Sequence, residues 1–251
     1  TSSLMPWFAV RDLKSVVPGF SNKGEADIAK AIQMGADRIL SMQTRDGGLS
    51  YWPGETKSLD WATAYGGMGL IMAKRNGADV PESSITKLTA WMANSVKKAK
   101  TSQDRYHAWN DETIARTLYV LALAGKPEIA LQNKMLDQRE TLNPSARCFL
   151  ALAFHHSGDS DAHQATALSL IENIKPREEN NHWMRYHADA PMQVLAWAEI
   201  APTDQRVHTL MKAMLRNRNP YGHWRTTWCN SWAMQAMASY ARNVEKDRAP
   251  S

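Results

Sequence analysis

The sequence predicts an all-α fold on three observations. Apolar residues recur at steps of three and four along nearly every ordered stretch, and almost nowhere do they alternate as in a half-buried strand. The helical stretches come in two kinds, one amphipathic and one apolar all round. The links between them are short and carry Gly or Pro, so consecutive helices must be antiparallel neighbours.

Taken in order, residues 4–13 form the first helix of the apolar kind. Ile28, Ala31, Ile32, Gly35, Ile39 and Leu40 then mark one face of an amphipathic helix. The turn Asp46-Gly47-Gly48-Leu49-Ser50-Tyr51-Trp52 and the pair Pro53-Gly54 lead through Ser58-Leu59-Asp60-Trp61 into an apolar helix over 62–73. Asn76-Gly77-Ala78-Asp79-Val80-Pro81 stops it, as Gly and Pro do at helix ends. Ile85, Leu88, Trp91, Met92 and Val96 form the next amphipathic stripe. Apolar helices over 114–124, 146–154 and 192–200 end at Gly125-Lys126-Pro127, Ser157-Gly158-Asp159 and Ala201-Pro202-Thr203-Asp204. Val207, Leu210, Met211, Met214 and Leu215 are a further amphipathic stripe. A second Gly-to-Trp turn, Tyr221-Gly222-His223-Trp224, then opens onto an apolar helix over 232–240.

A helix hydrophobic on every side must be enclosed, so the apolar helices are inner and the amphipathic ones outer. The turn-then-helix recurrence marks a helical repeat. About six inner and five outer helices wrapping into a closed ring make an α/α toroid. One outer helix is missing from the count and is expected before Thr1, or replaced by neighbouring structure. The 251 residues contain no long linker and are expected to form one domain, 1–251, near the upper size of a single core.

Composition narrows the partners. The net charge of +5 comes without a long basic run, since Lys97, Lys98, Lys100, Arg216 and Arg218 sit beside ordinary helical patterning. That is a solvated surface and gives no reason to expect nucleic acid. Cys148 and Cys229 lie too far apart for a disulfide framework, and Cys148 sits among apolar neighbours as a small hydrophobe. No apolar run approaches the roughly 18 residues of a membrane span. A chain opening on Thr1 without a signal-like start is expected to be a mature or excised piece of a longer protein.

Several chemistries use such rings, and the residues must choose between them. Terpene cyclases need an Asp-rich cluster, which is lacking. Zinc toroids need Cys, His and Asp ligands converging on one ion. Neither Cys has a His three to five residues away, and the adjacent His155 and His156 are expected to point in different directions, so no metal or other cofactor is expected. Asp46, Glu55, Asp60, Asp111, Glu112 and Asp189 near Trp52, Trp61, Trp109, Trp183 and Trp224 leave open a carbohydrate-active enzyme with a Trp-lined acidic cleft. Helix capping by Asp60, Asp111 and Asp189 explains the same placement without catalysis.

A family resemblance sharpens this. Gln43-Thr44-Arg45-Asp46-Gly47-Gly48-Leu49-Ser50-Tyr51-Trp52, followed by Trp61-Ala62-Thr63-Ala64-Tyr65, resembles the stretch Q-x-x-D-G-x-F … W-x-T-A-Y of the thioester domain in α2-macroglobulins and complement components. Tyr221-Gly222-His223-Trp224-Arg225-Thr226-Thr227 is similar to its closing segment, and Trp109-Asn110-Asp111-Glu112-Thr113 to a middle repeat. The likeness covers essentially the whole chain and implies a domain of a bacterial family member.

In that family a Cys-x-Glu-Gln motif at the start of the first inner helix forms an internal thioester. Thr1-Ser2-Ser3-Leu4-Met5-Pro6-Trp7 resembles the residues directly after that motif, so the chain is expected to start just downstream of it. No Cys in this sequence is followed by x-Glu-Gln. The resemblance implies a protease-entrapping, non-enzymatic module without cofactor, periplasmic or envelope-anchored in its parent. Its partners would be other domains of the same parent chain and target proteases. It further implies an aromatic cluster near the thioester position, made by Trp7, Trp52, Trp61, Trp109, Trp224 and Trp228, and offers His107 as the one candidate for an assisting His. A purely structural toroid remains the plainest alternative.

Overall fold

The computed structural model describes residues 1–14, 17–99, 110–158, 160–174, 188–224 and 226–245. Within them the elements are α1 (Met5–Leu13), α2 (Glu25–Leu40), α3 (Asp60–Arg75), α4 (Glu82–Lys98), α5 (Asp111–Leu123), α6 (Ile129–Leu136), α7 (Pro144–His155), α8 (Asp161–Ile171), α9 (Asp189–Ile200), α10 (Gln205–Arg216) and α11 (Thr227–Asn243), with two short 3₁₀ turns. Among the described residues no strand forms, and no helix is long and apolar enough to cross a membrane.

The odd-numbered helices pack in cyclic order: α1 on α3, α3 on α5, α5 on α7, α7 on α9, α9 on α11, and α11 back on α1. The even-numbered helices α2, α4, α6 and α8 each lie against the two inner helices they connect, and α10 lies against α9. This is the α/α toroid the periodicity predicts. Burial follows the same division. Ten of the twelve residues of α7 are buried, against five of the seventeen of α4. Inner helices are built from Ala, Gly, Met and Leu because a ring of six must let backbones approach closely on two sides at once.

Each inner helix runs the same way, with an outer helix returning the chain. All inner N-termini therefore sit at one end of the ring and all C-termini at the other. The first and last inner helices meet in a parallel seam. Ser231 Oγ donates to the Ser2 carbonyl at 2.9 Å, Gln235 Nε2 to the Met5 carbonyl at 2.6 Å, and Arg242 pairs with Asp12 at 2.6 Å.

Five of the helix starts carry side-chain caps, each worth about 1 kcal/mol. Asn110, Asn143, Ser160, Asp204 and Thr226 accept amide hydrogens at the starts of α5, α7, α8, α10 and α11. The expectation that Asp60, Asp111 and Asp189 are the caps is corrected: each is the first helical residue of α3, α5 or α9, one position inside. A cap needs extended backbone, which Asn110 has at φ −110°, ψ 165°. One residue further in, the carboxylate still faces the positive end of the helix dipole.

Candidate functional site

At the end where the inner helices begin, the sixth residues of α3, α5, α7 and α11 are Tyr65, Arg116, Phe149 and Trp232. They meet in one layer across the ring. Trp232 lies edge-on to Phe149 with centroids 5.3 Å apart, and Tyr65 is 6.4 Å from Trp232. Trp228, one turn above Trp232, packs on it at 5.6 Å and on Tyr65 at 4.6 Å. The Arg116 guanidinium sits 5.1 Å from the Trp228 ring centroid, 5.6 Å from Phe149 and 6.0 Å from Tyr65. Such stacking stabilises a desolvated guanidinium. Burial pulls the Arg116 pKa down, while the charges of Glu112 and Tyr65 oppose this; its Nε has no hydrogen-bond partner among the described residues. Ser2 lies on the same layer, with its Oγ 3.1 Å from the Tyr65 hydroxyl.

Sequence reasoning missed Arg116. The available signal was the one charged residue of α5 beyond its acidic first turn, set in a largely apolar stretch.

The Gly-rich turn before α3 is a built platform. Asp46 is its hub, accepting from Ser58 Oγ at 2.6 Å, Trp91 Nε1 at 3.1 Å, the Gly48 amide at 3.3 Å, and also from Thr44 Oγ1. Burial alone would raise the Asp46 pKa, but these hydrogen bonds together hold it below the ordinary carboxylate value. Gln43 Nε2 donates to the carbonyls of Gly47 at 3.0 Å and Ser84 at 2.9 Å, tying the turn to the start of α4. Leu49 closes the platform over α3, its amide donating to Thr63 Oγ1 at 2.8 Å. Glu55 accepts from the amides of Tyr51 and Trp52 at 3.2 and 3.1 Å. Both loop carboxylates, Asp46 and Glu55, are thus committed to loop structure.

The expected aromatic residues divide into groups. Trp52 and Trp61 each contact the Tyr51 ring, at 4.9 and 5.6 Å, and stand 57% and 42% exposed. Trp228, partly buried, packs on the layer described above. Trp224 is buried and donates its indole N–H to the Met214 carbonyl at 3.0 Å, pinning the last turn to the end of α10. Trp7 is partly buried against the main core. Trp109 and the candidate His107 lie outside the described residues.

At the opposite end, the expectation that His155 and His156 diverge is corrected. His155 is the last residue of α7 and His156 its C-cap, at φ −89°, ψ 4°, where the helical path ends. Their ring centroids lie 4.9 Å apart. His156 Nε2 is 3.0 Å from Glu199 Oε2, near the end of α9. Pairs at the ends of two neighbouring inner helices cannot be read from spacing along one helix.

No profile of a known protein family matches the sequence, and no curated protein is close to it. Solved structures do match its shape. A Salmonella alpha-2-macroglobulin reacted with methylamine superposes with a TM-score of 0.76 at 21% identity, over 95% of this chain and 16% of that one. Escherichia coli alpha-2-macroglobulin activated by porcine elastase gives 0.75 at 17% identity, over 96% and 22%. A native Escherichia coli fragment reaching the C-terminus gives 0.72 at 17% identity, over 92% and 39%. The fold is therefore that of a ring found within bacterial α2-macroglobulins, and this chain spans well under half the length of each.

Proposed function

We propose that the chain is the thioester-type domain of an α2-macroglobulin-like protein and serves protease entrapment at the bacterial envelope. The observation carrying this reading is the coincidence of two likenesses over nearly the whole chain. One is the toroid shared with the Salmonella and Escherichia coli proteins. The other is the ordered set of motifs at Gln43–Trp52, Trp61–Tyr65 and Tyr221–Thr227, which stand before or at the start of the inner helices α3 and α11.

In this reading the reactive bond belongs beside Thr1 and Ser2, over the layer of Tyr65, Trp228 and Arg116. An amine of the target protein attacks the Gln-derived carbonyl, the carbon–sulfur bond breaks, and the Cys thiolate leaves as the amine loses its proton. Aromatic cover delays the competing attack by water. This chain itself holds neither reactive residue: Cys148 is followed by Phe149-Leu150 and Cys229 by Asn230-Ser231. Trp52 and Trp61, with Trp228 below, are assigned the cover. Neighbouring domains of the parent and the trapped protease are the assigned partners, and the module performs no turnover of its own.

The test uses the parent protein encoded around this segment. Protection of a bound protease from a large inhibitor, with one equivalent of labelled methylamine incorporated, is the expected result. A parent that neither incorporates amine nor retains protease would overturn the assignment.

A further inference from the structure

At the end of the ring where the inner helices finish, a cavity of about 580 Å³ opens between α1, α3, α5, α7, α9 and α11. On its wall a ring nitrogen of His155, one of His156 and a carboxylate oxygen of Glu199 all lie within 4.8 Å of one another. We propose that these three residues form a binding site for a divalent transition-metal ion of the zinc class, with a fourth position open to the cavity.

Four features carry it. The donor set, two imidazoles and one carboxylate, suits zinc, which takes three protein ligands plus water in open sites. The spacing suits it too. Metal–ligand bonds of about 2.0–2.1 Å in a tetrahedron put ligand atoms about 3.3 Å apart, and His156 Nε2 and Glu199 Oε2 stand at 3.0 Å. Third, His155 is already oriented: its Nδ1 lies 2.8 Å from the amide oxygen of Gln164 on α8. That acceptor holds the hydrogen on Nδ1 and leaves Nε2 with the lone pair, the arrangement found behind metal-binding histidines. Fourth, the cavity provides the route in and room for a water.

The cations nearby do not forbid it. Arg242 pairs with Asp12 at 2.6 Å, Arg11 with Glu25 at 2.9 Å, and Arg75 donates to the Leu123 carbonyl. Their donor groups are engaged there, and Arg242 still acts at a distance to favour the ionised form of Glu199, the form a metal needs. Tyr119, whose ring lies 5.7 Å from that of His156, keeps its hydroxyl protonated through burial and so adds no charge beside the pair. On binding, the metal takes the place of the hydrogen between His156 Nε2 and Glu199 Oε2, and the neutral imidazole keeps its single N–H by moving it to Nδ1, so no net proton is released.

The ring so gains a clamp between the C-terminal ends of α7 and α9, in place of the His156–Glu199 hydrogen bond that joins them. The experiment is zinc titration of the full 251-residue chain by calorimetry, with cobalt(II) absorption reporting coordination number. One zinc per chain and a four-coordinate cobalt spectrum are expected. His156→Asn and Glu199→Gln should weaken binding at least tenfold. Gln164→Ala, which touches no metal, should weaken it by roughly 10-fold or more through loss of orientation. His223→Asn should leave it unchanged. The Glu199→Gln variant keeps the shape of the side chain, so it reports even where a histidine variant fails to fold. Absence of stoichiometric zinc binding, or binding undiminished in both His156→Asn and Glu199→Gln, overturns the site.

Discussion

Two glycines of the same turn separate backbone strain from packing. Gly47 and Gly54 both adopt left-handed backbone, at φ +98° and +85°. An alanine at Gly54 would meet nothing within 4 Å, whereas one at Gly47 would lie 2.6 Å from the Lys87 carbonyl oxygen and 2.8 Å from its carbon. Left-handed backbone costs an L-residue about 1–2 kcal/mol, reduced slightly because alanine also restricts the unfolded chain. Gly54→Ala should therefore destabilise by about 1 kcal/mol. Gly47→Ala carries the same cost plus overpacking of about 1–3 kcal/mol. The upper end applies because the obstacle is backbone of α4, which cannot rotate aside. In a chain of this size 1 kcal/mol moves the melting temperature by about 2–4 °C. Thermal unfolding followed by circular dichroism should show a drop of about 2–4 °C for Gly54→Ala and at least twice that for Gly47→Ala. Equal melting of the two variants would refute the claim that the turn is clamped on α4.

Trp228→Ala should cost about 3 kcal/mol or more, since it strips a ring from Tyr65, Trp232 and Arg116, while exposed Trp52→Ala should cost under about 1 kcal/mol; denaturant titration of both checks this. Because the folded pKa of Asp46 is lowered, its contribution is full above the unfolded value and is lost as pH falls through the folded one. The melting-temperature gap between the native protein and Asp46→Asn should accordingly narrow from about pH 5 downward; a gap that widens would contradict the hydrogen-bonded hub. Cys148 and Cys229 are both buried, and burial raises both thiol pKa values, so a thiol reagent should label neither in the native state and both in guanidinium. Rapid native labelling of Cys148 would mean that α7 is not enclosed as an inner helix.

The architecture was legible because enclosure leaves a compositional trace. A helix such as 146–154 with no polar face admits only one setting, and short Gly/Pro links leave no choice of neighbour. The turn motifs were legible as well, but their roles were not. Gln43 and Asp46 read as family marks, whereas in the fold they are fasteners whose partners, Ser84 and Trp91, sit on another helix. The His155, His156 and Glu199 group was illegible for a similar reason. Glu199 stands 43 residues from His156, and only the packing of α9 against α7 brings the ends of these two helices together. Caps were misplaced by one residue because Asn110 and Asp111 are equally suited by composition, and only backbone angles decide between them.

The seam between α1 and α11 has a mechanical consequence. Its three links join residues separated by 229, 230 and 230 positions, a constant register that only parallel helices keep. Thr1 and Asn243 consequently lie at opposite ends of the ring. Tension applied between them runs along the seam and loads all three links together, as in a lap joint, instead of peeling them one by one. A ring threaded this way into a larger chain would transmit a pull through itself while staying closed.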